Sequence, residues 1–253
     1  MSGRLARAAT LLAVVLAACS GGGGPMQTAP SSPPWVERVL ESREPPVNGK
    51  PPLVVMLHGI GADENDLFPL AGEIDKRFKV VSLRAPYDYH AGHAWFRIDF
   101  GPGGVMKPDV AQARATLGDL VRWITAAPDR LRVDPARVFL LGFSQGAMMS
   151  IGVLRTAPER LAGVVVLSGR ADEELFEVRA PRDAIARVPL LVAHGTDDDV
   201  LPIAHGRRTR DLFQGLSRDF TYREFPVRHG IDHEEMVVVE AWLVAHVGEP
   251  SGR

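Results

Sequence analysis

The segment Gly142-Phe-Ser-Gln-Gly146 most constrains how this chain can fold. It follows an apolar run at 138–141 and precedes a helix-like stretch that starts at Ala147. A serine between two glycines at such a junction is typical of a strained turn that exposes the hydroxyl at the top of a sheet. Side chains at the glycine positions would clash with neighbouring backbone. The pattern therefore predicts Ser144 as a nucleophile.

A nucleophilic serine needs a general base and an acid that orients the base. In hydrolases with this turn the order along the chain is serine, acid, histidine. An acidic loop follows the apolar run at 189–193, and it contains Asp197, Asp198 and Asp199. His229 comes next, ahead of a helix-like segment at 234–247. The order predicts His229 as the base and one of the three aspartates as the acid.

The other histidines have weaker claims to a catalytic role. His233 is the alternative base, but its position suits the exposed first turn of the C-terminal helix. His58 and His194 each precede a glycine at a strand end, and we expect them to brace loops through hydrogen bonds. His90 and His93 have no third ligand nearby, so the sequence predicts no metal site. The expected chemistry also needs no cofactor.

Five apolar runs and the helix patterns between them predict the fold class. The runs lie at 53–57, 79–83, 138–141, 163–167 and 189–193. They are nearly continuous in apolar residues, which is typical of parallel strands covered on both faces. The clearest helix spans 109–126, with a start signal at Pro108-Asp109 and a stop signal at Ala127-Pro128. The alternation predicts an α/β protein with a doubly wound, mostly parallel sheet and no separate lid domain.

The N-terminal stretch differs from the rest of the chain. Arg4 and Arg7 lead into an apolar run at 8–18, which is too short to span a bilayer and has the layout of a secretory signal peptide. Glycine, serine and proline dominate the residues that follow and predict a tether. The predicted division is a signal peptide at 1–18, a tether at 19–34, a folded domain at 35–248 and a tail at 249–253.

Cys19 is the only cysteine, so the chain has no intramolecular disulfide framework and no other thiol nucleophile. The segment Leu16-Ala-Ala-Cys19 resembles the lipobox of bacterial lipoproteins. The resemblance implies a lipid on Cys19 and a membrane-anchored, extracytoplasmic protein. The formal net charge is −2, and no dense cluster of basic residues predicts a nucleic-acid partner. No feature of the sequence decides the oligomeric state.

Several further segments resemble motifs of α/β-hydrolases. His194-Gly-Thr-Asp-Asp-Asp-Val-Leu-Pro202 resembles the His-Gly-x-x-Asp-x-x-Val-Pro acid loop. The other matching segments are Leu57-His-Gly-Ile-Gly61, Arg84-Ala-Pro86, Trp95-Phe96, and the His-x5-Glu and Ala-Trp-Leu pattern that runs from His229 to Leu243. Arg97 stands where the Trp-Phe box usually continues with aspartate. From about residue 50 to 247 the chain resembles the small phospholipase/carboxylesterase family, which includes the acyl-protein thioesterases.

The resemblance implies an α/β-hydrolase fold and specific residue roles. It places the acid at Asp198, with Asp197 and Asp199 as alternatives. It also implies oxyanion donors at the backbone N–H groups of Ile60 and Gln145, so that the side chain of Gln145 should matter less than its N–H. The expected substrate-pocket residues are Trp95, Phe96, Val200 and Leu201, although Trp95 and Phe96 suit the core equally well.

The implied activity is hydrolysis of a small-molecule or lipid ester through an acyl-enzyme at Ser144, with a thioester or lysophospholipid as further substrates. A dienelactone-hydrolase-like enzyme is an alternative, but that family usually carries cysteine as its nucleophile. A peptidase of this fold usually adds a propeller or a cap, for which the chain is too short. A non-catalytic binding lipoprotein on the same scaffold is the alternative outside enzymes.

Overall fold

The computed structural model describes residues 35–44, 46, 49–100 and 106–248. The predicted signal peptide, the tether with Cys19 and the C-terminal tail lie outside these residues. Within the described ranges, no helix is both long enough and apolar enough to cross a membrane.

A seven-stranded sheet runs through the described part of the chain. Its strands lie in the order β1 (Glu37–Leu40), β3 (Lys79–Leu83), β2 (Leu53–Leu57), β8 (Val138–Phe143), β9 (Gly163–Leu167), β10 (Leu190–Gly195) and β11 (Phe220–Phe225). Every neighbouring pair is parallel except β1 and β3, which are antiparallel. This sheet confirms the predicted α/β class.

The five predicted strands form the interior of the sheet, and all of their residues are buried. Successive residues of a strand point to opposite faces, so Val55 joins one apolar core and Met56 joins the other. Helices α1 (Val110–Leu131) and α2 (Gln145–Thr156) contribute to the first core, and α5 (His233–His246) contributes to the second. Cover on both faces explains why these strands are nearly all apolar.

Helix α1 begins where the sequence predicts but ends later. The carboxylate of Asp109 accepts a hydrogen bond from the Gln112 N–H at 3.0 Å and caps the first turn. The predicted stop at Pro128 is wrong, because the helix continues to Leu131. Pro128 is buried in the last turn, and its carbonyl accepts a hydrogen bond from the N–H of Arg132, which has left-handed backbone. This cap and the burial offset the one helical hydrogen bond that proline cannot donate.

The remaining helices are short or lie close to their predicted bounds. Helix α5 is within one residue of its prediction, and Asp232 caps it by accepting a hydrogen bond from the Glu235 N–H at 2.8 Å. Helices α3 (Arg182–Ala186) and α4 (Ala204–Gln214) precede and follow strand β10.

Two hairpins after β3 were not predicted, and neither were β1 and β11. The hairpins pair β4 (Tyr87–Tyr89) with β5 (Gly92–Ala94) and β6 (Ile98–Phe100) with β7 (Met106–Pro108). Each of these hairpin strands has only three residues, and the edge strand β11 carries polar residues at several positions. Such strands lack the long apolar runs that identify the interior of the sheet.

Candidate active site

Ser144 occupies the turn that joins β8 to α2. Its φ of 53° and ψ of −113° are rare for a residue with a side chain and store strain at this position. A Cβ atom on Gly142 would collide with the Gly146 carbonyl, and one on Gly146 would collide with the Leu57 carbonyl. Only glycine fits at these two places, so the local sequence fixes a turn that aims Ser144 away from the sheet.

Three side chains form a continuous line of hydrogen bonds in this structure. The Nε2 atom of His229 lies 2.9 Å from Ser144 Oγ, and its Nδ1 atom lies 2.7 Å from Asp198 Oδ2. With the proton on Nδ1 donated to the carboxylate, Nε2 is free to accept the hydroxyl proton of Ser144. The structure thus brings together the serine, histidine and acid that the chain order predicts.

Asp198, rather than either neighbour, contacts His229. Its Oδ1 atom also accepts hydrogen bonds from the N–H groups of Val200 at 2.9 Å and Leu201 at 2.7 Å. Burial by itself would raise the pKa of this carboxyl, but the hydrogen bond and charge of His229 and the two N–H donors outweigh burial and hold the pKa below its usual value. A carboxylate held in its charged form is suited to orient an imidazole.

The alternative acids and the alternative base have exposed side chains. Asp197 and Asp199 are exposed, and Asp199 pairs with Arg228. The side chain of His233 is 80% exposed, and its Nδ1 atom lies 3.3 Å from Glu73 Oε2.

His58 and His194 brace the loops around Ser144, as the sequence suggests. His58 Nδ1 lies 2.7 Å from the Gly59 carbonyl, and its Nε2 accepts a hydrogen bond from the Ala85 N–H at 3.0 Å. Burial lowers the pKa of His58 to about 4, so its ring is neutral near pH 7. His194 Nε2 donates to the Leu201 carbonyl at 2.7 Å, and burial also lowers its pKa. Both rings fix loop geometry.

The loop after β2 lies directly beside Ser144. A Cβ on Gly59 would sit 3.4 Å from the Cβ of Ser144. The Gly61 N–H donates to the His93 carbonyl at 2.8 Å and so ties this loop to the β4–β5 hairpin. Among the hydrogen bonds of the described residues, none is donated by the backbone N–H of Ile60 or Gln145. Both candidate oxyanion donors therefore remain available.

The side chain of Gln145 has a larger role than the sequence suggests. Its Oε1 atom accepts a hydrogen bond from the Trp95 N–H at 2.8 Å, and its Nε2 atom donates to the Phe96 carbonyl at 2.7 Å. Gln145 is 1% exposed, so both bonds are shielded from water. The sequence alone does not reveal these two bonds, through which the amide joins α2 to the segment between the hairpins.

The four expected pocket residues divide between core and surface. Trp95 and Phe96 are 0% exposed, and Trp95 Nε1 donates to the His58 carbonyl at 2.8 Å. Leu201 is also buried, whereas Val200 is 36% exposed beside the acid loop. These positions favour the core interpretation for Trp95 and Phe96. Arg97 points outward and pairs with Asp99 at 2.9 Å.

An open depression of about 380 Å³ borders the loop after β2. Its lining residues are Gly61, Ala62, Asp63, Asn65, Asp66, Pro69, Ala91 and Gly92. It lies between this loop and the β4–β5 hairpin.

Metal-ligating side chains do not cluster in the described ranges, where no group of three or more His, Cys, Asp or Glu residues is arranged to hold an ion. His93 instead lies 3.5 Å from the carboxylate of Asp88.

The chain is similar in sequence to two fungal acyl-protein thioesterases. It is 32% identical over 114 residues to acyl-protein thioesterase 1 of Gibberella zeae, a match that covers 44% of this chain and 48% of that protein. The chain thus spans about half the length of this relative. Acyl-protein thioesterase 1 of Debaryomyces hansenii is 27% identical over 201 residues, which cover 72% of this chain and 86% of that protein.

The solved structure of a carboxylesterase from Mesorhizobium loti has a similar fold. It superposes with a TM-score of 0.70 at 21% identity and covers 86% of this chain and 98% of its own. The family model described as phospholipase/carboxylesterase matches residues 39–247, which run from the third residue of β1 to just past the end of α5. The chain therefore belongs to the phospholipase/carboxylesterase family of α/β-hydrolases.

Proposed function

We propose that this protein is a serine hydrolase that cleaves carboxylic esters through an acyl-enzyme on Ser144. The observation that carries the proposal is the unbroken line of hydrogen bonds from Asp198 through His229 to the Ser144 hydroxyl. Family membership supports the same chemistry.

In the first half-reaction, Ser144 Oγ attacks the ester carbonyl carbon while His229 Nε2 takes the hydroxyl proton. The tetrahedral intermediate then collapses, and the imidazolium returns the proton to the leaving alcohol as the ester bond breaks. In the second half, His229 deprotonates a water that attacks the acyl-enzyme, and Ser144 leaves with that proton. Asp198 stabilises the imidazolium in both halves.

The negative charge that develops on the carbonyl oxygen requires preorganised donors. The N–H groups of Ile60 and Gln145 are the proposed pair, and one such donor contributes about 3–4 kcal/mol to catalysis. Ser144 also stands at the N-terminus of α2, where the helix dipole favours negative charge.

A fluorophosphonate probe tests the proposal directly, because it reacts only with an activated serine. We expect stoichiometric labelling of the wild type at Ser144, no labelling of Ser144→Ala, and full labelling of the matched control Ser217→Ala. A folded wild-type protein that resists the probe would contradict the enzyme proposal and favour a non-catalytic binding protein.

The substrate class can be determined by comparing substrates that differ in their leaving group and in the length of their acyl chain. The names of the relatives include both thioesterase and carboxylesterase activity, so the bond type is open to test in this chain. A series of p-nitrophenyl esters from C2 to C16, with matched acyl thioesters, gives the preference from kcat/KM. Ser144→Ala provides the background rate for each substrate.

We also propose that Cys19 carries lipid and anchors the domain on the extracytoplasmic side of a membrane. The lipobox-like segment and the apolar run before it support this location. Mass spectrometry of the mature N-terminus should find an acylated Cys19. An unmodified terminus elsewhere would reject the anchor.

A further inference from the structure

The chain enters the folded domain at the same end of the sheet as the candidate active site. Strand β1 is antiparallel to β3, and Glu37 at its start faces Leu83 at the carboxyl end of β3. The Arg84 N–H donates to the Val36 carbonyl at 2.9 Å just beyond this pair. Trp35 and Val36 therefore lie at the carboxyl end of the parallel strands, where Ser144 also lies.

Trp35 places this entry point close to the loop after β2. Its ring centroid lies 6.2 Å from that of Trp95, and Trp95 Nε1 donates to the His58 carbonyl at 2.8 Å. His58 is two residues before Ile60. A single side chain, Trp95, thus separates the entry point from the loop that holds the candidate oxyanion donor.

The C-terminal helix leaves the domain at the opposite end. Helix α5 starts beside the His229 loop and is about 21 Å long at 1.5 Å per residue. Its last residue, His246, lies 3.0 Å from the carboxylate of Asp219, which directly precedes β11 at the amino end of the sheet. The two ends of the domain therefore point in opposite directions along the strands.

The carboxyl end of the sheet, which includes the entry point at one edge, exposes apolar side chains. Val36 is 42% exposed and Val200 is 36% exposed, and both belong to this end of the sheet. Trp35 and Tyr89 are half-buried there, and such rings combine an apolar body with a polar tip. Carboxylates including Asp63, Asp88 and Asp199 share this surface with two arginines. Arg97 pairs with Asp99 and Arg228 pairs with Asp199, so a zwitterionic lipid suits this surface better than an anionic one.

We infer that the carboxyl end of the sheet is the membrane-facing surface of this protein. Because Trp35 and Ser144 lie at this same end of the sheet, a lipid on Cys19 would bring Ser144 to the bilayer surface, and the enzyme acts preferentially on esters displayed there. This inference rests on the proposed hydrolase activity and the proposed anchor. The sixteen residues from Cys19 to Pro34 reach at most about 55 Å, which keeps the site within range of that surface.

Tethering raises the local concentration of a neighbouring substrate only if the geometry permits contact. The single cysteine allows a direct test of that geometry. The chain from Cys19 onward is coupled to vesicles of phosphatidylcholine that contain a maleimide lipid. The control protein carries Cys19→Ser and is coupled through its C-terminus instead. A copy of residues 24–33 followed by a cysteine is appended after Arg253. The segment from residue 249 to the new cysteine then has the same length as the segment from Cys19 to Pro34.

The first readout compares two substrates on both coupled proteins. Each should hydrolyse soluble p-nitrophenyl acetate at the same rate, which checks the proposed activity. The Cys19-coupled protein should hydrolyse a long-chain umbelliferyl ester in the vesicle at least about tenfold faster than the control, because only its active site faces the lipid. Equal rates on the vesicle ester would overturn the preference for lipid-displayed esters.

The second readout measures orientation without catalysis. Brominated phosphatidylcholine should quench the Trp35 fluorescence of the Cys19-coupled protein and not that of the control, with Trp35→Phe defining the contribution of the other tryptophans. Equal quenching would overturn the membrane-facing assignment. Loss of hydrolysis of the soluble ester, with quenching retained, would instead reject the proposed function alone.

Discussion

Gln145 accepts a hydrogen bond from the Trp95 N–H at 2.8 Å, although fifty positions separate the two residues. The same amide donates to the Phe96 carbonyl at 2.7 Å. The residue after the candidate nucleophile is thus bonded to the segment that contacts the loop after β2. The turn and this segment hold each other in place through one side chain.

We expect Gln145→Ala to destabilise the protein, because the buried Trp95 N–H and Phe96 carbonyl lose their partners. Each unpaired buried group costs about 1–3 kcal/mol. Gln112→Ala is the matched control, since Gln112 accepts a hydrogen bond from the Arg97 N–H at 2.9 Å on an exposed part of the surface. Urea denaturation gives both free energies of unfolding, and equal losses would show that burial of the Gln145 amide is unimportant.

Asp198→Asn should lower kcat by about 10⁴-fold while the fold is retained, because an amide cannot hold His229 in the required tautomer. Asp199→Asn is the control, since Asp199 is exposed and pairs with Arg228. Its kcat should stay within about threefold of wild type, as expected for a surface change. Kinetics on p-nitrophenyl esters measure both, and a similar loss in the two variants would remove Asp198 from its proposed role.

Gly146→Ala should prevent stable folding, because the added methyl group would collide with the Leu57 carbonyl in β2. Gly118→Ala is the contrasting change in α1, where the nearest atom to a new Cβ is the end of the Arg122 side chain at 3.5 Å. It should stabilise the protein by about 0.5–1 kcal/mol through helix propensity. Thermal unfolding of the two purified variants distinguishes these outcomes, and normal stability of Gly146→Ala would contradict the turn geometry.

We expect the buried carboxyl group of Glu235 to lower the free energy of unfolding as the pH rises. The residue is 1% exposed, and neither carboxyl oxygen has a hydrogen-bond partner among the described residues. Burial, followed by the charge of Asp232, raises its pKa from 4.5 to about 8. The folded state therefore keeps a proton that the unfolded chain releases, and this stabilisation is complete below about pH 4.5 and is lost as the pH rises through about 8.

We predict that Glu235→Gln removes this part of the pH dependence. One proton held only by the folded state lowers the free energy of unfolding by at most about 1.4 kcal/mol for each pH unit. Urea denaturation at pH 5, 7 and 8.5 gives the slope for the wild type and the variant. Glu234→Gln, on the exposed side of the same helical turn, should keep the wild-type slope. An unchanged slope in Glu235→Gln would show that this carboxyl is ionised in the folded protein.

The interior strands and the candidate catalytic side chains were predictable because short sequence patterns mark them. Continuous apolar runs identify β2, β3, β8, β9 and β10, and motif order identifies Ser144 and His229. The two side-chain hydrogen bonds of Gln145 could not be predicted from such patterns, because its partners are main-chain groups of a segment that is distant in the sequence. Pro128 led to a wrong helix end for a related reason. Proline usually ends a helix, but here the buried last turn and the left-handed cap at Arg132 let the helix continue to Leu131.

The pairing of β2 with β8 has a consequence for when the candidate active site forms during folding. Leu53 faces Val138, so two strands far apart in the sequence must meet before the loop at Ile60 can reach Ser144. Pairing of strands that are distant in the sequence slows the folding of such sheets, because the entropy of closing a long loop is lost before the contacts form. The reactivity of Ser144 toward a fluorophosphonate should therefore return last during refolding, after the circular dichroism signal of the helices has recovered. Labelling of Ser144 would then report the moment at which folding of the sheet is complete.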